Sequence, residues 1–324
     1  MANLRRSTLA AGALLIVLAL IPPIAVLFDN PFLITMVNRA LIFALAAVAL
    51  DFIMGYGRMV SFGHAAFFGL GAYTVGILST HAAQDLPLLF GWAGTNEALL
   101  SWLLAMLVSG LYALIVGVIS LRTSGVYFIM ITLAFAQLVF FGFISLSQYG
   151  GQDGLALWGR NTLGGFALDD QVGFYYLCFG LLLAALYLLY RIVNSRFGRV
   201  IQGSRQNELR MRALGFDPFR YRLIAFVISG ALTGLAGALL ANNNEFVDPS
   251  LVSWMQSGNF LVIVLLGGIS SLVGPIYGAL ALLLMEEVLI SITEHWQIIL
   301  GPLLVLVVLF FQGGIYGALR GRPS

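Results

Sequence analysis

Side chains that could support catalysis are few and far apart in this sequence. Its three histidines, His64, His81 and His295, are widely separated, and Cys178 is the single cysteine. One thiol can form neither an internal disulfide nor a metal site built from thiolates. The P-loop pattern G-x-x-x-x-G-K-[ST] is absent, and it could not be built in that form because the chain contains no lysine. We therefore predict that this chain is not an enzyme, holds no metal and binds no ATP itself.

The ionisable residues of most interest stand inside apolar runs. Glu286 interrupts the run 274–292, and an acid buried in a membrane is a functional candidate because its burial is costly. The alternative is that Glu286 and its neighbour Glu287 reach out to the membrane surface. His64 lies on a predicted helix, where it is either a packed, hydrogen-bonded histidine or part of a gate. We treat His64 and Glu286 as candidates for residues of a pathway.

The composition predicts the elements that position these residues. Of 324 residues, 60% are hydrophobic and 9% are charged, and the mean hydropathy is +0.97. A soluble protein of this size carries more charge, whereas apolar runs of about 20 residues are typical of membrane-spanning helices. We predict an all-α, polytopic membrane protein with a single transmembrane domain over residues 1–324. The ten predicted spans are about 8–28, 32–54, 61–79, 98–120, 126–146, 172–190, 221–241, 252–270, 274–292 and 297–315.

Half of the basic residues are concentrated in one hydrophilic stretch, residues 191–222. Eight of the sixteen lie there: Arg191, Arg196, Arg199, Arg205, Arg210, Arg212, Arg220 and Arg222. An arginine in the hydrocarbon core costs roughly 2.5–3.5 kcal/mol on the insertion scale, so this stretch must lie in water. Short arginine-rich loops stay on the cytoplasmic side. We therefore predict a cytoplasmic loop at about 191–222 and, with ten spans, cytoplasmic N- and C-termini.

The other charges are distributed as that orientation requires. With ten spans, the inner connections also contain Arg5, Arg6, Arg58, Arg122, Arg320 and Arg322. The outer connections contain one basic residue, Arg160, and nine acids: Asp29, Asp85, Glu97, Asp153, Asp169, Asp170, Glu245, Asp248 and Glu294. Asp51 falls near the inner end of the second span, where we expect it to pair with Arg58 or Arg39.

A short helix is predicted inside the arginine-rich loop. Ser204 is a possible N-cap, and Glu208 stands early in the segment, where the helix dipole favours negative charge. Gly215 can adopt the left-handed conformation that ends a helix, and Pro218 follows it. A helix of about ten residues is not stable alone in water, so we expect the helix at 204–214 to be held against something. A solvated, charged connector is the alternative.

Small residues at four-residue spacing predict where the helices pack closely, because membrane helices gain little from hydrophobic burial against one another. Three segments show this spacing: Ser61, Ala65 and Gly69; Gly230, Gly234 and Ala238; Gly274 and Gly278. We expect these spans to form the packed interior and the leucine-rich spans at 8–28, 98–120 and 297–315 to lie outside. The alternative is that glycine is simply common in membrane helices.

The segment 61–79 is short and glycine-rich, so a re-entrant hairpin that enters and leaves on the same side of the membrane is an alternative to a full span there.

Three blocks of residues, in this order, resemble one family. The first runs from Ser61 to Tyr73 (SFGHAAFFGLGAY). The second comprises Gly198-Arg199, Arg205 to Glu208 (RQNE), Arg212 to Gly215 (RALG), Ala225-Phe226 and Gly234 to Gly237 (GLAG). The third comprises Leu266-Gly267-Gly268, Gly274-Pro275 and Gly278-Ala279. Together they cover about residues 50–285 and are similar to the branched-chain amino-acid ABC importer permeases of the LivM type.

The resemblance implies a permease subunit that translocates branched-chain, aliphatic amino acids across the inner (plasma) membrane of a bacterial-type cell. It implies a second homologous permease, two cytoplasmic ATPase subunits that bind the ATP and Mg, and an extracytoplasmic binding protein, with no role for nucleic acid. By similarity to the coupling loop of importer permeases, the helix at 204–214 docks into the ATPase. The coupling residues would be Arg205, Glu208, Arg212, Ala213 and Gly215, although the longer pattern of the standard loop is absent here.

Other functions fit the same features. A permease for urea or short amides is the nearest alternative, because related permeases resemble each other more than their substrates do. An ion-coupled secondary transporter using Glu286 or Glu287 would work without an ATPase and would contain inverted halves with broken helices. A membrane scaffold without transport is the third alternative.

Overall fold

The structure is a bundle of helices with short strands at one end. The computed structural model describes residues 2–85, 87, 94–164, 166–310 and 313–319. The helices in that part of the chain are α1 (Ala2–Leu27), α2 (Pro31–Gly57), α3 (His64–Gln84), α4 (Ala98–Ser120), α5 (Val126–Ser145), α6 (Gln171–Asn194), α7 (Arg196–Gln206), α8 (Glu208–Ala213), α9 (Pro218–Asn244), α10 (Trp254–Gly267), α11 (Gly274–Ile292), α12 (Trp296–Phe310) and α13 (Gly314–Leu319). The strands are β1 (Leu155–Ala156), β2 (Thr162–Leu163), β3 (Phe166–Ala167) and β4 (Phe246–Val247), and 3-10 turns lie at Ser147–Tyr149 and Pro249–Val252.

Six of the described helices are long and apolar enough to cross a membrane, namely α2, α4, α5, α6, α9 and α11. Shorter apolar helices cover Ala11–Leu27, Trp254–Gly267 and Trp296–Leu306. The chain is therefore a multi-pass, mainly helical membrane protein. A helix occupies most of each of the ten predicted segments, and the number of crossings stays a prediction. The segment 61–79 is not a hairpin, because α3 is one continuous helix.

The interior of the bundle is formed by α2, α9 and α3, and most residues of α3 are buried, as expected for the segment 61–79. In the most apolar window of α2, 78% of the residues are buried, and in that of α9, 72%. The α9 helix packs against α2, α3 and α4. The spacing of small residues did not lead us to α2, whose middle buries a set of alanines: Ala40, Ala44, Ala46, Ala47 and Ala49.

Two expectations about the interior are wrong. We expected α11 inside and α4 outside, but the two helices are buried to a similar extent: 39% of the residues are buried in the most apolar window of α4 and 33% in that of α11. The reason is a stripe of small residues that α4 buries at four-residue spacing: Ser101, Ala105, Ser109, Ala113 and Gly117. A side of α4 that carries no large side chain lets the backbones of α4 and α9 approach closely.

The predicted small residues on α9 lie at close contacts with α3 and α4. An added Cβ at Gly230 would overlap the Cβ of Ala113, and one at Gly234 would overlap the side chain of Ser109. The Ser109 hydroxyl itself donates to the carbonyl of Phe67, 2.9 Å away. Ala238 is completely buried. The hydroxyl of Ser109 therefore cross-links α4 to α3 at the level where α9 comes closest.

On α3 the predicted row of small residues loses its first member, whereas both predicted glycines of α11 lie in the helix. Ser61 precedes the first residue of α3, so it is not part of a helical stripe; its hydroxyl accepts a hydrogen bond from the Gly63 N–H at 3.1 Å. Gly69 faces Val252, and Ala65 is completely buried. Gly278 faces the Ile263 carbonyl of α10. Gly274, the first residue of α11, lies against Gly267, the last residue of α10, so both predicted positions of α11 are close contacts with α10.

Hydroxyl side chains from other helices satisfy the buried start of α3. The Ala65 N–H donates to the Ser257 Oγ on α10 at 3.0 Å, and that hydroxyl donates to the Phe62 carbonyl at 2.7 Å. The Phe62 N–H donates to the Thr132 Oγ1 on α5 at 3.2 Å. Backbone groups inside a membrane protein need such partners because no water reaches them. These bonds fix α3, α5 and α10 relative to one another.

The two ends of the bundle differ in charge. The end that carries Glu97, Glu245 and Asp248, called here the acidic face, is held by the pairing of β1 with β4 and by the Asn161 N–H, which donates to the Asn242 Oδ1 at 2.8 Å. The opposite end, the arginine face, consists of Arg58, Arg122 and the loop 191–222. Arg320 and Arg322, which we also assigned to that side, lie outside the described residues.

The closeness of α9 to α3 can be tested by a matched pair of substitutions. A Cβ at Gly237 would overlap the carbonyl oxygen of Phe68, whereas a Cβ at Gly180 on α6 would meet no atom within 4 Å. We expect Gly237→Ala to lower the thermal unfolding midpoint of the detergent-solubilised protein by several degrees, because backbone overlap costs more than about 1 kcal/mol. Gly180→Ala should leave the midpoint unchanged or raise it slightly. Equal midpoints for the two variants would contradict this packing.

Candidate functional site

The arginine-rich loop contains two helices. Ser195 caps α7, and Asn207 caps α8 by accepting a hydrogen bond from the Arg210 N–H at 2.9 Å. The predicted start of a helix at Ser204 is therefore wrong. Ser204 lies inside α7, where its hydroxyl donates to the Val200 carbonyl at 2.8 Å. The predicted ten-residue helix is the end of α7 plus the six-residue α8, joined at an extended Asn207.

The end of α8 is fixed by a glycine in the left-handed region. Gly215 has a φ of +85°. Its N–H donates to the Arg212 carbonyl at 2.9 Å, and the Phe216 N–H donates to the Met211 carbonyl at 3.1 Å. This pair of bonds is the Schellman motif, which ends a helix and favours glycine at this position. The chain then enters α9 directly, with Asp217 as the N-cap.

Glu208 connects α8 to α9, and its partner Arg222 contacts the end of α7. Its Oε1 lies 2.7 Å from Nη2 of Arg212 and its Oε2 lies 2.9 Å from Nη1 of Arg222 on α9. Arg222 also donates from Nη2 to the Ser204 carbonyl at 3.3 Å. A carboxylate at the first residue of a helix is also favoured by the helix dipole. Glu208 and Arg222 thus fix α8 against the end of α7 and the start of α9.

Arg205 connects the loop to the transmembrane bundle. Its Nη1 donates to the Gly55 carbonyl in the last turn of α2 and to the Ser270 Oγ at 3.3 Å. Ser270 lies between α10 and α11, and its own hydroxyl donates to the Gly55 carbonyl at 2.7 Å. The Ser270 N–H donates to the Asp51 Oδ1 at 2.8 Å. Arg205 therefore contacts both α2 and the α10–α11 connection.

The expected pairing of Asp51 with Arg58 or Arg39 is wrong. Asp51 is completely buried and accepts its hydrogen bond from the backbone of Ser270. Arg58 ends α2 in a left-handed conformation with a φ of +57°. The guanidinium of Arg39 lies 5.4 Å from the centre of the Phe43 ring. A backbone N–H from a distant loop takes the place that a side-chain cation was expected to fill.

The solvent side of α8 exposes apolar side chains. Leu209 is 78% exposed and Leu214 is 64% exposed, and no residue of α8 is buried. Arg212 and Ala213 are also exposed. Leu209 and Leu214 thus form an exposed apolar pair on an otherwise charged element. The sequence contained this signal, because Leu209 stands among polar and charged residues.

A cavity separates the loop from the end of the bundle. Its volume is about 350 Å³, and it is lined by the end of α2, the α4–α5 connection, the start of α5, and Arg205, Glu208 and Arg222. Arg205, Glu208 and Arg222, which hold the loop in place, therefore border this cavity. Movement of α8 towards or away from the bundle meets no packed core at this place.

His64 joins three helices inside the bundle. Its Nε2 lies 2.9 Å from the Ser229 Oγ on α9, and the Ser229 hydroxyl donates to the Ala49 carbonyl on α2 at 2.5 Å. Because that hydroxyl proton is used, the Nε2 of His64 must carry the proton that it donates. The ring packs edge-on against Phe67 and Phe226. This environment is that of a packed, hydrogen-bonded histidine.

Glu286 lies elsewhere, at a cavity near the acidic face that Arg39 and Glu287 also line. The structure does not bring His64 and Glu286 together. Among the described residues, no group of three or more His, Cys, Asp or Glu side chains is arranged to hold a metal ion. The residues that sequence reasoning missed are Gly55 and Ser270, since nothing local marks either as a partner of the loop.

The comparisons with known proteins agree on one family. Residues 32–308 match the family described as branched-chain amino acid transport system / permease component. The chain is 27% identical over 302 residues to the high-affinity branched-chain amino acid transport system permease protein LivM of Salmonella typhimurium, covering 86% of this chain and 68% of that protein. It is 31% identical over 137 residues to the corresponding LivH of Escherichia coli, covering 42% and 44%. It is 28% identical over 146 residues to the autoinducer 2 import system permease protein LsrC of Salmonella typhimurium, covering 43% and 42%. No solved structure gave a significant match.

The anchoring of α8 can be tested by comparing two arginines of α9. Arg222, whose side chain is 21% exposed, pairs with Glu208, whereas Arg220, 80% exposed, pairs with Asp217. Arg222→Gln should destabilise α8 by about 1 kcal/mol, which corresponds to about fivefold faster amide hydrogen exchange. Arg220→Gln should leave the exchange of α8 unchanged. Unchanged exchange in both variants would show that Glu208 does not hold α8 in place.

Proposed function

From its membership of the branched-chain amino acid transport permease family, which the match over residues 32–308 shows, we propose that this chain is the LivM-type translocation subunit of an ABC importer for aliphatic amino acids. The observation that carries the proposal is the similarity to LivM over 86% of the chain. The similarity to LsrC, whose name gives a different substrate, covers 43%.

The orientation follows from the arginine face. We place that face in the cytoplasm and the acidic face outside the inner membrane, with ten crossings and both termini in the cytoplasm. Six long apolar helices and the concentration of arginine at one end of the bundle support this orientation. The chain acts as one transmembrane domain from residue 1 to 324, with the loop 191–222 as its cytoplasmic element.

The partners follow from the composition of such importers. A second, homologous permease completes the translocation unit, and the partial similarity to LivH supports a partner of that type. Two cytoplasmic ATPase subunits bind ATP and Mg and supply the energy. An extracytoplasmic binding protein delivers the amino acid at the acidic face.

The loop transmits the ATPase movement in two steps. First, the ATPase covers the exposed side of α8, where Leu209 and Leu214 project and where Arg212 and Ala213 are exposed. Gly215 supports this contact by ending α8 with a sharp turn. An apolar patch ringed by arginines suits a docking surface, since apolar anchors give affinity and charges at the rim give orientation.

In the second step the movement reaches the transmembrane helices. Glu208 passes it to α9 through Arg222, and Arg205 passes it to α2 and the α10–α11 connection through Gly55 and Ser270. A rigid-body change then alternates access through the bundle.

Close helix contacts at Gly69, Gly230, Gly234, Ala238 and Gly278 let the helices move as packed units. Ser61, Ala65 and Gly274 support the helix starts, and His64 fixes α3 to α9.

Reconstitution tests the function directly. Proteoliposomes that contain this chain, the second permease and the ATPases should take up leucine only when the binding protein and internal ATP are both present. The chain alone should show no uptake under an ion gradient. Leucine uptake by the chain alone, driven by a proton or sodium gradient, would instead establish a secondary transporter.

The docking surface yields a matched pair of variants. Leu209→Asp places a charge in the exposed apolar patch, and Gln206→Asp places the same charge on a nearby exposed polar position. We expect Leu209→Asp to lower both ATPase retention during purification and leucine uptake about tenfold or more, as for the loss of an interface hot spot. Gln206→Asp should affect both by less than about twofold. If both variants retain ATPase and uptake, α8 is not the docking element.

A further inference from the structure

A cavity near the acidic face contains charges of both signs. Its volume is about 190 Å³, and it lies between the first turns of α2, the end of α9 and the second half of α11. Its lining residues are Phe32, Thr35, Met36, Arg39, Asn243, Asn244, Leu283, Glu286, Glu287 and Ile290. The cavity therefore combines one guanidinium, two carboxylates, two amides and four large apolar side chains.

The charged residues of this cavity lie inside the span and not at its ends. Arg39 is eight residues past the start of α2 and Glu286 is six residues before the end of α11, which is roughly 12 Å and 9 Å along the helices at 1.5 Å per residue. Arg39 is exposed on the surface of this chain and Glu286 is partly buried. Ionisable residues at such positions along a membrane span are rare and mark pathways or ligand sites. A purely structural role would be served by direct pairing of the opposite charges.

The opposite charges do not close on one another. No ion pair within 4.0 Å joins Arg39 to Glu286 or Glu287 in the described structure, although all three residues line the same cavity. The Arg39 guanidinium lies over the Phe43 ring instead. Donor and acceptor thus face the same space and remain available to a ligand.

The amide side of the cavity is fixed in advance. Asn38 donates from Nδ2 to the Asn243 Oδ1 at 2.8 Å, and Asn243 donates from Nδ2 to the Asn244 Oδ1 at 3.0 Å. This chain of bonds ties α2 to the end of α9. Preorganised polar groups lower the cost of binding because they need no reordering when a ligand arrives.

An aliphatic α-amino acid has the chemistry that this lining would recognise. Its carboxylate and ammonium groups are attached to the same carbon. They therefore need a cationic and an anionic side chain that lie close together without forming an ion pair with each other. Its side chain needs apolar walls, which Phe32, Met36, Leu283 and Ile290 provide. A simple carboxylic acid would leave Glu286 without a partner, and a simple amine would leave Arg39 without one.

We propose that this cavity is a transit site for the zwitterionic backbone of an aliphatic amino acid, with Arg39 on the carboxylate and Glu286 on the ammonium. The site lies where the binding protein would release its ligand. This inference rests on the proposed function and deepens it, because it names the residues that select the substrate within the membrane. The cavity lies at the start of α2 and the loop 191–222 borders the end of α2, so replacement of Arg39 or Glu286 should leave the ATPase contact intact.

Uptake by the complete transporter in proteoliposomes tests the site. With binding protein and ATP present, Arg39→Gln and Glu286→Gln should each lower leucine uptake about tenfold or more, the loss expected when one charged partner is removed. The matched control Glu294→Gln, an exposed acid outside the cavity, should change uptake by less than about twofold. Basal ATP hydrolysis should stay the same in the control Glu294→Gln.

A labelling experiment tests the proposal without measuring transport and without the charge variants, which could be unstable. Thr35→Cys introduces a thiol into the cavity, while the native Cys178 is buried. Leucine should slow modification of Cys at position 35 by a methanethiosulfonate reagent in the purified complex. 4-Methylpentanoate, which lacks the ammonium, and 3-methylbutylamine, which lacks the carboxylate, should not slow it.

The outcomes separate this site from the proposed function. If the wild-type complex takes up leucine but the charge variants transport normally and leucine does not slow labelling, the transit site is refuted and the permease function stands. If the wild-type complex takes up no aliphatic amino acid with all partners present, the proposed function fails. Equal slowing of the labelling by leucine and by both analogues would show an apolar pocket without selection for the zwitterion, which also refutes the site.

Discussion

Two arginines that end on backbone carbonyls hold the water-facing loop to the membrane bundle. Arg205 reaches the Gly55 carbonyl of α2, and Arg222 reaches the Ser204 carbonyl while it pairs with Glu208. Arginines cannot enter the hydrocarbon core cheaply, so the loop must leave the bundle. The last carbonyls of a helix lack partners within the helix and attract cations. The charges that exclude the loop from the membrane therefore also attach it, Arg205 to the end of α2 and Arg222, at the start of α9, to the end of α7 and to Glu208 of α8.

The bundle beneath this attachment suits the transmission of movement. Helix α9 begins at Asp217, directly after the loop, and runs through the interior against α2, α3 and α4. Its contacts are made through small residues on both sides, such as Gly230 against Ala113. Close-packed helices move as units and do not deform gradually. In the mechanism we propose, a displacement of α8 is passed on to α9 and, through Arg205, to α2 and the α10–α11 connection.

Hydropathy and charge sufficed to predict the helices and the loop, because the cost of moving polar groups into lipid dominates both. The choice between Ser204 and Asn207 as N-cap could not be made, since both residue types cap helices and tertiary packing of α7 extends it to Gln206. Asp51 was assigned the wrong partner because Ser270 lies 219 residues away in sequence. The stripe from Ser101 to Gly117 was visible in the sequence, but the leucines around it concealed it. The cavity at Arg39 and Glu286 depends on the approach of three helices, which no local pattern reveals.

The central claim is that α8 is the contact through which a separate ATPase drives this bundle. A photo-reactive cross-linking group attached at Leu209→Cys tests it most directly, in membranes that contain the whole transporter. The account predicts that the cross-linked product consists of this chain joined to an ATPase subunit. A product that joins position 209 to the binding protein, or no product with the ATPase present and transport intact, would contradict it.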